Sequence, residues 1–211
     1  MRNLKINNFV IVIVVVSGIS LFIVSRITTL DLTQLKDFYK AFSTVLSIDT
    51  FLVFCFVIWG WKFPMFEGWL VPFPNLSGTW KGQILSDWVN PGTDSEPNQI
   101  LAMLTIKQSF LSISCVMRTH EMVSHSYAEG FMIDPDRQIK RLAYIYSSKP
   151  GILITDRSKT HDGAIVFEII KNEKKKLKGS YWTERKTRGE IHLEFFSEEI
   201  LDEIPFTWTD N

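Results

Sequence analysis

Phe9 to Ser25 is a run of Val, Ile, Phe and small residues without a single charge, and no other feature restricts this chain as tightly. About seventeen such residues sit at the short end of what spans a bilayer, and a small aqueous core has no room for them on every side. Arg2 and Lys5 precede the run and resemble a signal-peptide start, but no Ala-x-Ala-like cleavage site follows, and Arg26 closes it as an anchor is closed. The run reads as a retained membrane helix. A second apolar stretch ends near Trp61, and two arrangements fit it. Leu32, Leu35, Phe38, Phe42, Val45 and Leu46 recur at helical spacing, so residues 31–46 fit an amphipathic interfacial helix followed by a span from about Thr50, with Asp49 as its N-cap. A single span from Ala41 to Trp61 has the right length and places Asp49 in the hydrocarbon, where a carboxylate marks a pore or an assembly contact. Flanking charges balance on the two sides, so the positive-inside count gives no orientation. With two spans, the N-terminus and the remainder of the chain share a side.

Beyond Pro64, Pro72 and Pro74, which form a stiff linker, the period changes to two. Candidate strands are 77–88, 99–109, 111–119, 126–133, 139–147, 162–170, 175–185 and 188–196. Turn chemistry separates them at Asn90-Pro91-Gly92, Asp134-Pro135-Asp136, Lys149-Pro150-Gly151 and His161-Asp162-Gly163. About eight short strands with hairpin-length connections predict an all-β, small up-and-down barrel of antiparallel strands. The fold expected is that barrel preceded by two transmembrane α-helices, divided as a membrane region, 1–70, and a ligand-sensing β-barrel, 75–211. The barrel opens Leu76-Ser77-Gly78-Thr79-Trp80-Lys81-Gly82, and Gly78-x-Trp80 is similar to the opening of lipocalins and fatty-acid-binding proteins, whose Trp closes one barrel end.

The net charge is +0, which excludes recruitment of a nucleic-acid polymer by a global field. Locally, Lys171, Lys174, Lys175, Lys176, Lys178, Arg185, Lys186 and Arg188 crowd one stretch, and acidic residues crowd the tail. The two cysteines, Cys55 and Cys115, fall in different parts of the chain and give no disulfide framework, which favours a reducing compartment.

The densest candidate site is Tyr181-Trp182-Thr183-Glu184-Arg185-Lys186-Thr187. Alternation puts Tyr181, Thr183 and Arg185 on one face and Trp182, Glu184 and Lys186 on the other. Turned inward, the first set offers an aromatic plane, a hydroxyl and a guanidinium, which suits a nucleotide: bases stack on Tyr and Arg takes a phosphate bidentately. Turned outward, it is a solvated hairpin face beside Lys175 to Lys178, and alternation alone favours that orientation. Tyr144 and Tyr146 share a face and offer a second stacking platform or ordinary packing. Arg118 reads as exterior. His120 to His125 lacks the spacing of His-Glu-x-x-His and reads as a loop, and His161 reaches a barrel mouth only if its turn points there. With no Gly-x-Ser-x-Gly, P-loop or Cys-x-x-Cys, no catalytic machinery, metal site or resident cofactor is expected.

The paired apolar segments, the Leu76–Gly82 opening, His161-Asp162-Gly163 and Tyr181-Trp182-Thr183-x-Arg185-x-Thr187-x-Gly189 resemble the two-transmembrane β-barrel effectors of bacterial CBASS anti-phage operons, which are CD-NTase-associated. The resemblance implies that the barrel binds a cyclic dinucleotide made by a partner nucleotidyltransferase and then oligomerises. It implies further that the helices disrupt the bacterial inner membrane in abortive infection, with the barrel in the cytoplasm. It also implies ligand contacts from Tyr181, Thr183, Arg185 and Thr187, with Tyr144, Tyr146 and His161 beside them. Two other readings compete on the residues: a membrane-anchored lipocalin-like carrier of an apolar ligand, with Tyr181, Thr183 and Arg185 pointing out, and an adaptor acting through its basic hairpin, 171–188.

Overall fold

The computed structural model describes residues 6–28, 30–88, 98–152, 155, 158–171 and 175–208. Arg2, Lys5, Lys174 and the expected Asn90-Pro91-Gly92 turn lie outside them. The described residues divide into two compact units, one of helices and the segment to Pro74 with Ser109–Leu111, the other a barrel.

In the first unit, α1 spans Ile6–Thr28 and α2 spans Leu35–Ile58. At 23 and 24 residues each is about 35 Å long, enough to cross about 30 Å of hydrocarbon. Both are long and apolar enough to cross a membrane. Val and Ile are mediocre helix formers in water, but in lipid every backbone group needs an internal partner, and a helix supplies them all. Val14 is 65% exposed and Phe22 61%, so these side chains find little protein to cover them. The helices pack through Val24, Ala41 and Val45, with Leu21 and Leu30 alongside. Further along, the Phe9 and Phe56 rings meet edge-on at 6.0 Å.

Neither expected arrangement of the second stretch is seen as drawn. The amphipathic segment and the span are one continuous helix whose N-cap is Gln34. Asp49 lies inside α2, and the interfacial-cap reading is therefore corrected. Its carboxylate is matched by serines of α1, which lets the helix run on through it.

The second unit is a closed barrel of eight antiparallel strands, each bonded to its chain neighbours. They are β1 Gly78–Ser86, β2 Asn98–Gln108, β3 Ile113–Arg118, β4 Met122–Asp134, β5 Ile139–Pro150, β6 His161–Lys171, β7 Lys175–Thr183 and β8 Arg188–Ser197. The ring closes where β1 pairs with β8, Trp80 opposite Phe195 and Ile84 opposite Ile191. Alternate side chains turn inward to form one core that includes Trp80, Leu104, Ile106, Leu142, Phe167, Leu177 and Leu193. Trp80 plugs the end at which the chain enters. Its indole N–H donates to the Leu76 carbonyl at 3.0 Å, and its ring meets Phe195 edge-on at 5.2 Å. On the outer wall the Thr79 hydroxyl donates to the Glu199 carbonyl at 2.6 Å and accepts the Leu201 N–H at 3.1 Å, tying down the segment after β8.

Two expected loops are strand. His120 and Glu121 precede β4, but Met122 to His125 belong to it, pairing with the end of β5. A bulge between Ser126 and Ala128 interrupts the alternation that would have marked the strand. His161-Asp162-Gly163 begins β6 and is no turn, and Lys149 and Pro150 end β5.

Both cysteines are free. Burial, and secondarily the Glu129 carboxylate, push the Cys115 thiol far above its ordinary pKa. The nucleophile in alkylation is the thiolate, so Cys115 is expected to stay unlabelled by a maleimide in the folded protein at neutral pH and to label fully in urea. Peptide mass spectrometry on the two samples checks this, and labelling of Cys115 before unfolding would contradict the packing described.

Candidate functional site

The barrel has two unlike ends. Trp80 and aliphatic side chains fill the one where β1 begins. At the other, where β5 and β7 end and β6 and β8 begin, the inward positions become polar and aromatic: Ser86, Ser124, Tyr146, Ser148, His161, Tyr181 and Thr183. The strand registers enforce this, because Tyr146 lies opposite Gly163 and Gly163 opposite Thr183, while Tyr181 lies opposite Gly189.

Those two glycines fix the tyrosines. A Cβ on Gly163 would come within 2.5 Å of the Tyr146 hydroxyl, and one on Gly189 within 2.7 Å of Tyr181 Cε1. Each ring therefore lies over the glycine of the neighbouring strand, in space that any other residue would occupy. The Tyr181 hydroxyl donates to Ser86 Oγ at 2.7 Å, which locks its tilt. The Tyr144 and Tyr146 rings meet edge-on at 6.2 Å.

The β7–β8 turn carries Arg185 to this mouth. Thr183 N–H donates to the Thr187 carbonyl at 3.0 Å, Lys186 N–H donates to the Thr183 carbonyl at 3.0 Å, and the two threonine hydroxyls lie 2.7 Å apart. Lys186 takes φ 65°, closing the turn with Arg185 near its tip. The guanidinium donates to Ser158 Oγ at 3.0 Å. It also acts on both mouth phenols. Burial raises the pKa of Tyr146, the neighbouring Tyr181 raises it further, and Arg185 partly offsets this. In Tyr181 burial raises the pKa most, with the Ser86 hydrogen bond and Arg185 lowering it. Both phenols therefore stay neutral at physiological pH, giving hydroxyls that donate or accept without repelling an anion. This end gathers a half-buried Tyr181, a buried Tyr146 and several buried hydroxyls beneath the Arg185 guanidinium, the group types that an anion bearing flat rings requires.

An open cleft of about 710 Å³ lies at this rim. Its lining is mainly outer wall, Leu85, Gln99, Ser180, Trp182, Arg188 and Glu190, with Ser86, Tyr181 and Gly189 on the lumen side, and it does not take in Tyr146, Thr183 or Arg185. Its volume is within the range of small-molecule sites, about 300–1,000 Å³.

Of the residues singled out in sequence, Tyr146, Tyr181, Thr183 and His161 turn into this end, with Thr187 and Arg185 on the turn above it. His161 is 5% exposed, and its Nδ1 lies 3.0 Å from the Lys159 carbonyl, so that nitrogen carries the proton. Tyr144 lies one layer deeper, with the one buried side-chain hydroxyl among the described residues that has no partner. Arg118 is exterior, donating to Thr105 Oγ1 at 3.1 Å. The basic stretch does not form one patch: Lys176 pairs with Glu194 at 2.7 Å and Arg188 with Asp87 at 3.3 Å on the outer wall. Ser86, Ser124, Ser148 and Ser158 carried no sequence signal, since isolated serines have no period. The acidic Glu129 faces inward, hydrogen-bonded by Ser126, and the bulge beside it hides that orientation from simple alternation. A carrier lumen with Tyr181 and Thr183 pointing out is not the arrangement seen.

A barrel filled with hydrocarbon at one end and lined with tyrosines and hydroxyls at the other has the layout of a small-molecule receptor rather than of an apolar-ligand carrier. The chain belongs to the family of the Cap15 cyclic dinucleotide receptor domain, whose pattern matches residues 71–194. Those residues take in every barrel strand but the end of β8, and the membership agrees with the CD-NTase-associated effectors that the sequence resembles. It is also similar to CD-NTase-associated protein 15 of Staphylococcus schleiferi, with 23% identity over 151 residues, covering 72% of this chain and 76% of that protein.

Proposed function

We propose that the barrel mouth binds a cyclic dinucleotide and that the two helices carry the consequence to the bacterial inner membrane as part of anti-phage defence. The observation that carries this reading is the gathering of Tyr146, Tyr181 and Arg185 at the polar end of a barrel whose remaining interior is hydrocarbon. A cyclic dinucleotide brings two bases and two phosphodiesters. Tyr181 and Tyr146 stack the bases, Arg185 exchanges Ser158 for a phosphate oxygen, and Thr183, Thr187 and His161 position the sugar–phosphate ring. Tyr144 supports Tyr146 from below. The ligand comes from a CD-NTase acting in the cytoplasm, on the side where the barrel sits. No reaction is assigned to the site.

Ligand binding shifts the protein only if the bound form favours a different assembly. The bound form is a homo-oligomer, and its clustered helices disrupt the lipid bilayer, which arrests or kills the infected cell. Calorimetric titration of the full chain in detergent micelles against a panel of cyclic di- and trinucleotides tests the reading. Micromolar or tighter binding of one compound is expected. Silence toward the whole panel from a folded protein overturns it.

A further inference from the structure

Ser17, at the midpoint of α1, donates its hydroxyl to Asp49 Oδ2 at 2.5 Å, and Ser20, one turn on and 8% exposed, donates to Oδ1 at 3.5 Å. Both carboxyl oxygens of the one acidic residue deep in α2 are thus capped from the other helix. Five other helix hydroxyls behave differently. Ser25, Thr28, Thr44, Ser47 and Thr50 each donate to a carbonyl of their own helix three or four residues back, at 2.6–3.0 Å. Around the Asp49 cluster the helix contact is apolar, made by Leu21, Val24, Ala41 and Val45.

A carboxyl facing lipid is costly and seeks any available donor, and polar side chains in hydrocarbon drive helices together for that reason. Within the hairpin that tendency is spent internally. We propose that Asp49 is a masked self-association determinant: Ser17 and Ser20 occupy it in the resting chain, and parting α1 from α2 turns it toward the same serines of a second copy of this chain. The second copy is the fitting partner because it presents an identical pair of donors at the same depth. The inference rests on the membrane placement proposed above, and it gives the ligand-driven assembly a specific contact within the bilayer.

The test needs no ligand. The full chain, wild type and variant, is reconstituted into vesicles of phosphatidylethanolamine and phosphatidylglycerol and treated with an amine-reactive cross-linker. Ser17→Ala with Ser20→Ala bares Asp49 but removes the donors, and Asp49→Leu bares the two serines, so vesicles holding both variants are expected to give several-fold more cross-linked multimers than vesicles holding either variant alone. Adding Asp49→Leu to the Ala pair removes its carboxyl, and this triple variant mixed with Asp49→Leu is expected to stay at the level of either variant alone, while Ser17→Thr with Ser20→Thr keeps the mask and stays at the wild-type level. An unchanged melting temperature of the barrel tryptophans in each variant confirms intact folding, and the single serine variants give a graded series should the double fail this check. Multimers no more abundant in the mixture than in either variant alone overturn the proposal, as does a mixture with the triple variant that associates as strongly. Adding cyclic di-GMP or cyclic di-AMP to wild type separates the two readings: association of the mixture without any response of wild type keeps the masked contact and counts against these two ligands.

Discussion

Arg185→Ala is expected to lower affinity for the activating cyclic dinucleotide by about tenfold to a hundredfold. The guanidinium is the cation that acts electrostatically on both Tyr146 and Tyr181. A charge-assisted hydrogen bond contributes about 1.5–3 kcal/mol, and each 1.4 kcal/mol is about a factor of ten in affinity. Its present partner is a single half-buried serine hydroxyl, so the unliganded protein loses little and the melting temperature should hold. Arg185→Lys should fall between, since an ammonium keeps the charge but loses the planar fork. Tyr181→Ala, read in the same titration, removes one stacked base, worth about 1–3 kcal/mol. Full affinity in Arg185→Ala would mean that phosphate is held elsewhere.

Trp80→Ala should produce the largest loss of stability in the chain. Trp80 is 0% exposed, touches Phe195 edge-on and satisfies the Leu76 carbonyl. Truncating a buried aromatic costs about 3–5 kcal/mol, a large share of the roughly 5–15 kcal/mol that holds a domain folded. For a domain of this size that lowers the melting temperature by about 10–20 °C. Trp80→Phe keeps most of the ring and loses the hydrogen bond, so a smaller drop is expected. Thermal unfolding followed by far-UV circular dichroism above 200 nm reads both variants, and a drop of only a few degrees in Trp80→Ala would show that Trp80 does not hold the end shut.

The strands were legible because their inward residues alternate strictly where both neighbours are regular. Ile165, Phe167 and Ile169 on β6, and Ile191 and Leu193 on β8, show it. Legibility failed at the bulge beside Tyr127. There the period slips by one residue, which hid the start of β4 and the inward turn of Glu129. It failed again at His161-Asp162-Gly163, where a glycine that sequence alone reads as a turn serves to admit the Tyr146 ring. The inward orientation of Tyr181 was open on alternation alone, because a two-residue period cannot say which face is in; closure of β7 between β6 and β8 decides it. Asp49 was legible as an anomaly in an apolar segment. Its partners were not, being about thirty residues upstream on another helix.

Closure of the barrel by its first and last strands also sets an order of events during synthesis. Trp80 cannot meet Phe195 until β8 has been made, whereas α2 ends at Ile58, roughly 140 residues earlier. At about 5–20 residues per second the ribosome needs on the order of ten seconds to cover that interval. Both apolar helices are thus available to the insertion machinery well before a closed mouth exists. On the function proposed above, a chain built in this order could bind its ligand only after its helices had had time to reach the bilayer.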